Sequence, residues 1–221
     1  MRRLAQPDVL KAAAIGALLT TLLSYPRLSA WTTRPFPIWY LEAVLFFTSI
    51  VLWAFVFAWH TQYTQRPVIT FNLSLSLFAL ATAAGVLAAV GQYFLLDPTL
   101  RIKAPEDYPK SFDEWLAMTL FILAFTQLFL LFAPFAWLVR LFKNPRVAVV
   151  LTLFFGVLIF FIRMRSFSPS LSPTLFLTII TVRIVAGLML IWLYLRGGLI
   201  LVWWVGLLVE ARHLLSLNSQ N

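Results

Sequence analysis

Seven long apolar stretches, at 9–24, 38–60, 68–96, 114–139, 147–162, 171–195 and 198–217, carry almost no charge and leave this chain few ways to fold. A helix needs about 20 apolar residues to cross a bilayer; most of the stretches reach that length, and the first and fifth fall slightly short. Residues 44–58 and 147–161 are apolar on every side, without the alternation of a membrane β-strand. A helix also satisfies its own backbone hydrogen bonds in hydrocarbon. The sequence therefore predicts an all-α integral membrane protein with seven transmembrane helices. Hydrophobic residues make up 62% of the chain and charged residues 11%, where a soluble domain has about half and a quarter.

The formal charge of +9 does not point to nucleic acid, because the 17 basic residues stand in ones, twos and threes beside helix ends. They read as interfacial anchors. Arg140, Lys143 and Arg146 form the densest basic loop and would meet anionic headgroups, at about 1 kcal/mol per cation near the surface. Eight basic residues fall on each side of the predicted membrane, so the positive-inside rule is tied. Arg2, Arg3 and Lys11 flank the first helix, which places the N-terminus in the cytoplasm and the C-terminus outside. In a bacterial cell the protein would be a multi-pass protein of the cytoplasmic membrane. Asp8 and Lys11 interrupt the apolar run that a signal peptide would need, so the first segment is expected to stay as helix one. The chain has no cysteine, which excludes disulfides, thiolate metal sites and cysteine nucleophiles.

Pro98, Pro105 and Pro109, with mixed charges around them, mark 97–113 as an exposed irregular loop. It separates an N-terminal three-helix segment, 1–96, from a C-terminal four-helix core, 114–221. Ser111 and Glu114 have the S-x-x-E spacing of a capping box and would start the fourth helix. Shorter turns are expected at Tyr25-Pro26, at 34–37, and at Arg66-Pro67, Asn144-Pro145, Ser168-Pro169 and Arg196-Gly197-Gly198. Ala81, Gly85 and Ala89 form a small-residue stripe that admits a second helix closely, and its expected partner is helix one, where Ala12, Gly16 and Thr20 repeat the spacing.

Ionisable groups at membrane depth are costly and mark candidate sites. Arg183 lies 14 residues before Gly197 and Glu210 lies 13 after it, so an antiparallel hairpin would put them at one depth and allow an ion pair. Glu42, one turn inside helix two, can stay hydrated. Gln127, next to Thr126, and Asn72 can hydrogen-bond neighbouring helices. His60 and His213 sit near helix ends and read as interfacial, with too few neighbouring ligands to begin a metal site. Trp31, Trp39, Trp59, Trp115 and Trp137 fall at helix boundaries as an aromatic belt does. Trp192, Trp203 and Trp204 are deeper, where they would pack between helices or line a pocket for lipid or a pigment. No cofactor is called for.

From about Glu114 to Asn218 the chain shows A-F-T-Q-L-F-L-L-F-A-P-F, then R-L-F-K-N-P-R, then L-T-L-F-F-G-V-L-I, then L-Y-L-R-G-G-L. In order, spacing and turn chemistry this resembles the CPBP family of intramembrane metalloproteases, the CAAX-protease and bacteriocin-processing group. The resemblance implies that the family's paired glutamates fall at Thr126 and Gln127, its arginine at Leu131, its first histidine at Ile159 and its last at about Gly206. Isoleucine and glycine can neither hold a metal nor activate water. The resemblance thus implies a degenerate member, a helical frame without the hydrolytic machinery, in which Gln127 faces the former active-site cleft. Its expected partners are membrane lipids and other membrane proteins, or a hydrophobic ligand. The alternatives are an accessory subunit of an energy-transducing or pigment-containing complex, and a metalloprotease with a rearranged site that depends on Glu210.

Overall fold

A computed structural model describes residues 4–31, 35–164 and 172–218. Arg2, Arg3, Arg34, Arg165 and the Ser168-Pro169 turn lie outside the described residues. Among the described residues there is helix and no strand, and six helices are long and apolar enough to span a membrane. We label them α1 (Pro7–Ala30), α2 (Ile38–Thr64), α3 (Leu75–Leu95), α5 (Phe112–Phe142), α6 (Pro145–Met164) and α7 (Pro173–Asn218). The short helix α4 (Asp97–Lys103) lies between α3 and α5.

The last helix is a hairpin of two limbs. Gly198 has φ 68 and ψ −162, a backbone state that only glycine adopts readily. The reversal is visible in what each limb touches. Leu96 packs against Ile179 of the first limb, while the next residue, Asp97, pairs with Arg212 of the second. A straight helix would hold positions 179 and 212 about 50 Å apart. Six helices therefore contain the seven apolar stretches that the sequence predicts.

The chain divides into two compact units, Met1–Val68 with Leu116–Ala148, and Ile69–Trp115 with Val149–Asn221. This is not the predicted division into 1–96 and 114–221, because contiguity along the chain does not decide which helices pack. The bulk of α5 belongs with α1 and α2, so the four C-terminal helices do not form one compact core.

In the first unit α1 buries Ala13, Ala17, Thr20 and Ser24, at helical spacings of four, three and four. Leu45, Ser49, Trp53 and Val56 answer from α2. The small residues of α1 make room for the Trp53 indole; a Cβ added at Gly16 would lie 3.0 Å from its Cγ. Trp53 Nε1 donates to Thr20 Oγ1 at 3.0 Å, which satisfies two polar groups inside hydrocarbon. Both long partners contain π turns: Val56–His60 in α2, and Ile122–Thr126 and Leu128–Phe132 in α5. The second of these in α5 ends just before Pro134, whose missing N–H would break a regular helix, and the wider turn absorbs that break.

In the second unit Ala81 and Gly85 are the buried residues of α3. A Cβ at Gly85 would lie 2.9 Å from Leu208 Cδ1, so the stripe on α3 receives the second limb of α7. The expected pairing of this stripe with the one on α1 is thus corrected: each stripe is occupied inside its own unit. Both were equally fit in sequence, since small residues state that a helix approaches without stating which one. Two helix starts also differ from expectation or refine it. α3 begins at Leu75, capped by Ser74, because Pro67 and the left-handed Gln65 end the helical path earlier. α5 begins at Phe112; Ser111 Oγ accepts from Glu114 N, and the Glu114 carboxylate accepts from Lys110 N.

Candidate charged site at the end of the last helix

The predicted loop 97–113 is not an exposed irregular connector. Pro98 sits in the first turn of α4, where its missing N–H costs nothing, and Pro105 opens a single 3₁₀ turn, Pro105–Asp107. Leu96, Asp97, Ala104 and Pro109 are buried. Asp97 is 2% exposed, a position that a carboxylate takes only when it is paired.

Its partners come from three places. Arg212 Nε donates to Asp97 Oδ2 at 3.2 Å, and Tyr108 Oη donates to Oδ1 at 3.0 Å. Arg101, one turn along α4, places Nη2 3.9 Å from Oδ2 and its guanidinium over the rings of Tyr93 and Tyr108. Arg212 Nη1 also donates to the Val209 carbonyl at 2.8 Å, which fixes the guanidinium against its own helix. Burial and the adjacent carboxylate push the Tyr108 phenol well above its ordinary range, so it remains a donor.

On the next face of the same helix Glu210 lies 3.7 Å from Arg212 Nη1 and 3.6 Å from His213 Nε2. Trp115, in the first turn of α5, donates Nε1 to the Glu210 backbone carbonyl at 2.8 Å. The Tyr108 ring meets His213 edge to face at 5.2 Å, and Ser216 Oγ donates to the His213 carbonyl. The site thus gathers two carboxylates, two guanidiniums, an imidazole and a phenol around the last turns of α7. Among the described residues no group of three or more metal-ligating side chains is placed to hold an ion.

The expected ion pair between Arg183 and Glu210 does not form. Arg183 is exposed on the first limb and its guanidinium lies 4.2 Å from the centre of the Phe160 ring, while Glu210 faces Arg212 and His213. The hairpin fixes depth, but rotation about each limb decides contact. The two histidines, expected near helix ends, lie four residues before the ends of their spans and are both buried within the protein.

The residues aligned with the family's cleft are divided between the units. Thr126 and Gln127 lie on α5 in the first, where Gln127 is buried with Oε1 lacking a hydrogen-bond partner. Ile159, half-buried on α6, and Gly206, buried in the second limb of α7, lie in the second unit. Of the deeper tryptophans, Trp204 donates to Thr82 Oγ1 at 2.9 Å and stacks on Phe78, so it packs the limb onto α3. Trp192 is exposed beneath the Arg196 guanidinium, and Trp203 Nε1 is buried without a hydrogen-bond partner. Of the belt residues, Trp31, Trp39 and Trp137 are exposed, whereas Trp59 and Trp115 are buried.

The sequence reading missed Asp97, Arg101, Tyr108 and Arg212 as a set, and set His213 aside. One signal was available: Glu210 stands three residues before His213, the i, i+3 spacing that puts both on one helix face. Comparison of the chain with known protein families, with characterised proteins and with solved structures finds no match in any of the three.

Proposed function

We propose that this protein is a multi-pass membrane protein that acts by binding other membrane proteins, lipid or a hydrophobic ligand, and not by hydrolysis. The observation that carries the reading is how the charged side chains are used. Asp97, Arg212 and Tyr108 are spent on one another, and in doing so tie α4 to the last limb. A carboxylate held by a guanidinium and a phenol is a poor base, and its work is to fix a helix position. The four positions that the resemblance to the CPBP family aligns with catalysis are Thr126, Gln127, Ile159 and Gly206, none of which supplies a metal ligand of the family's kind. Large apolar side chains, among them Trp39, Phe47, Phe94 and Phe154, point outward from the spanning helices, where lipid or a partner helix covers them.

Purification in a mild detergent without stripping lipid, followed by mass spectrometry and metal analysis, tests the reading. A stoichiometric protein, lipid or pigment at one copy per chain supports a binding role, and a protein or pigment narrows it to an accessory subunit of a larger assembly. A lone protein that carries zinc and cleaves a membrane peptide, with the cleavage lost in Glu210→Gln, overturns it in favour of a rearranged metalloprotease. The proximity of Glu210 and His213 is what keeps that arm in the experiment.

A further inference from the structure

We propose that the end of the first unit at which α2 and α5 finish is a binding site for an anionic phospholipid of the surrounding bilayer. Lys11, Arg66, Arg140, Lys143 and Arg146 surround its phosphate, and Trp137 and Leu141 lie along its acyl chains. The inference rests on the lipid-binding arm of the function proposed above and names the lipid's class and place.

The fold gathers cations that are far apart in the chain. The Arg140 guanidinium lies 6.0 Å from the centre of the Trp59 ring, which sets the C-terminal ends of α2 and α5 side by side. The short connection at 31–37 makes α1 and α2 antiparallel, and Gly16 packs against Trp53. Lys11 lies about 8 Å beyond that contact on α1 and Trp59 about 9 Å beyond it on α2, so Lys11 stands at the depth of Trp59. Both α2 and α5 stop at a left-handed residue, Gln65 and Lys143, which puts Arg66 and Lys143 just past the helix ends. Arg146 follows in the first turn of α6. Asn144 Oδ1 fixes that turn, accepting from Arg146 N at 3.0 Å and from Val147 N at 3.4 Å.

The charge excess belongs to this end alone. Among the described residues its one acid is Asp8, which sits in the first turn of α1, where the helix dipole favours a carboxylate. At the opposite end of the same unit, where α1 finishes and α2 begins, the described residues carry Arg27 and Glu42, one of each sign. Only the first end calls for an anionic partner.

The surface beside the cations makes that partner a lipid and not a soluble phosphate. Lys11, Arg66, Lys143 and Arg146 are exposed, while Arg140 is half-buried against Trp59. Trp137 and Leu141 are also exposed, and their i, i+4 spacing puts them on one stripe of α5 that runs up to its end at Phe142. Cations at the end of a span with an apolar strip leading to them match a headgroup with its acyl chains. A free anion would use the cations and leave the strip uncovered.

Competition on the full chain in mild detergent tests the proposal. Equimolar phosphatidylglycerol and phosphatidylcholine are added, and native mass spectrometry counts the lipid retained. Each cation near an anionic headgroup is worth about fivefold in affinity, so phosphatidylglycerol should be preferred by about tenfold or more. Arg140→Gln/Lys143→Gln/Arg146→Gln should bring the two lipids close to equality. Arg27→Gln/Lys103→Gln/Lys110→Gln loses the same charge elsewhere and should keep the preference. If the first triple variant does not fold, Lys143→Gln/Arg146→Gln changes only exposed turn residues and should cut the preference about fivefold or more. No preference, a preference that the site variants leave unchanged, or an equal loss in both triple variants overturns the proposal. Glycerol 3-phosphate added at the lipid concentration should not displace phosphatidylglycerol; displacement shows that the cations act alone and overturns the lipid assignment. Should the preference be absent while a protein or pigment copurifies, this inference falls and the binding role proposed above stands.

Discussion

The two units hold helices together in lipid by different means. In the first, α1 presents alanine, threonine and serine to α2, and close approach supplies the packing; in the second, α3 buries Ala81 and Gly85, and a charged cluster closes the end. Helices in a membrane gain nothing from leaving water, so dispersion contacts and polar bonds must do all the work. The contrast teaches that small residues suffice along the length of a helix pair, whereas a segment leaving the membrane at its end, such as α4, is fixed by charge.

The largest test of that contrast is Asp97→Ala. It removes the closer of the two carboxylates beside Arg212, leaving Glu210 at 3.7 Å, and is expected to cost about 3 kcal/mol, the low end of the penalty for breaking a buried pair. Unfolding in a detergent titration measures it. Adding Arg212→Met to the same chain should recover part of the loss, because the pair is worth less than the cost of breaking it. A null effect of Asp97→Ala would mean that α4 is held by Leu96 and Ala104 alone.

Tyr108→Phe comes next, at about 1.5–3 kcal/mol for a hydrogen bond to a charged acceptor. It carries a pH signature as well. The phenol is held protonated in the folded state above its ordinary range, so its contribution is complete below about pH 10, the unfolded value, and declines as pH rises beyond it. Unfolding titrations at neutral and alkaline pH should show a fall in stability that Tyr108→Phe reduces.

How much of this was legible in the sequence follows from the same physics. The spans were readable because crossing a bilayer is a demand on length and composition, and 198–217 was separable from 171–195 because Gly197-Gly198 stood between them. Pairing was not readable: Gly16 and Gly85 look alike, yet one faces Trp53 and the other Leu208. Asp97 was hidden by its setting, since three prolines and mixed charges usually mean a solvated loop, and only Arg212, 115 positions later, makes burial of the acid tolerable. The supposed Arg183 pair failed through rotation, which no spacing argument supplies.

The glycines turn that ambiguity into a measurement of intermediate size. Gly16→Ala would drive a Cβ to 3.0 Å from the rigid Trp53 indole, and overpacking of this kind costs about 1–3 kcal/mol. Gly85→Ala meets Leu208 Cδ1 at 2.9 Å, which can rotate away, and Leu208 Cβ at 3.2 Å, a smaller clash that the better helix propensity of alanine, about 0.5–1 kcal/mol, offsets. Thermal unfolding of the two variants should therefore show a clear loss for Gly16 and little for Gly85. Equal losses would mean that the second limb of α7 is as rigid as the indole.

The smallest expected difference lies between the two tryptophan–threonine bonds, one in each unit. Thr20→Val removes the acceptor of Trp53 Nε1, and Thr82→Val removes that of Trp204 Nε1. Each bond is worth about 0.6 kcal/mol by the average for membrane interiors, with a ceiling near 1.7. Thr20 is buried, so its loss leaves the Trp53 N–H facing only apolar atoms and should fall in the upper part of that range. The Trp204 bond is part-buried, and its N–H can find another partner, so Thr82→Val should fall at or below the average. Indole N–H hydrogen exchange in the two variants checks the ranking: the Trp53 proton should remain slow and the Trp204 proton become fast. The reverse order would place the drier interior in the second unit and remove the distinction drawn between them.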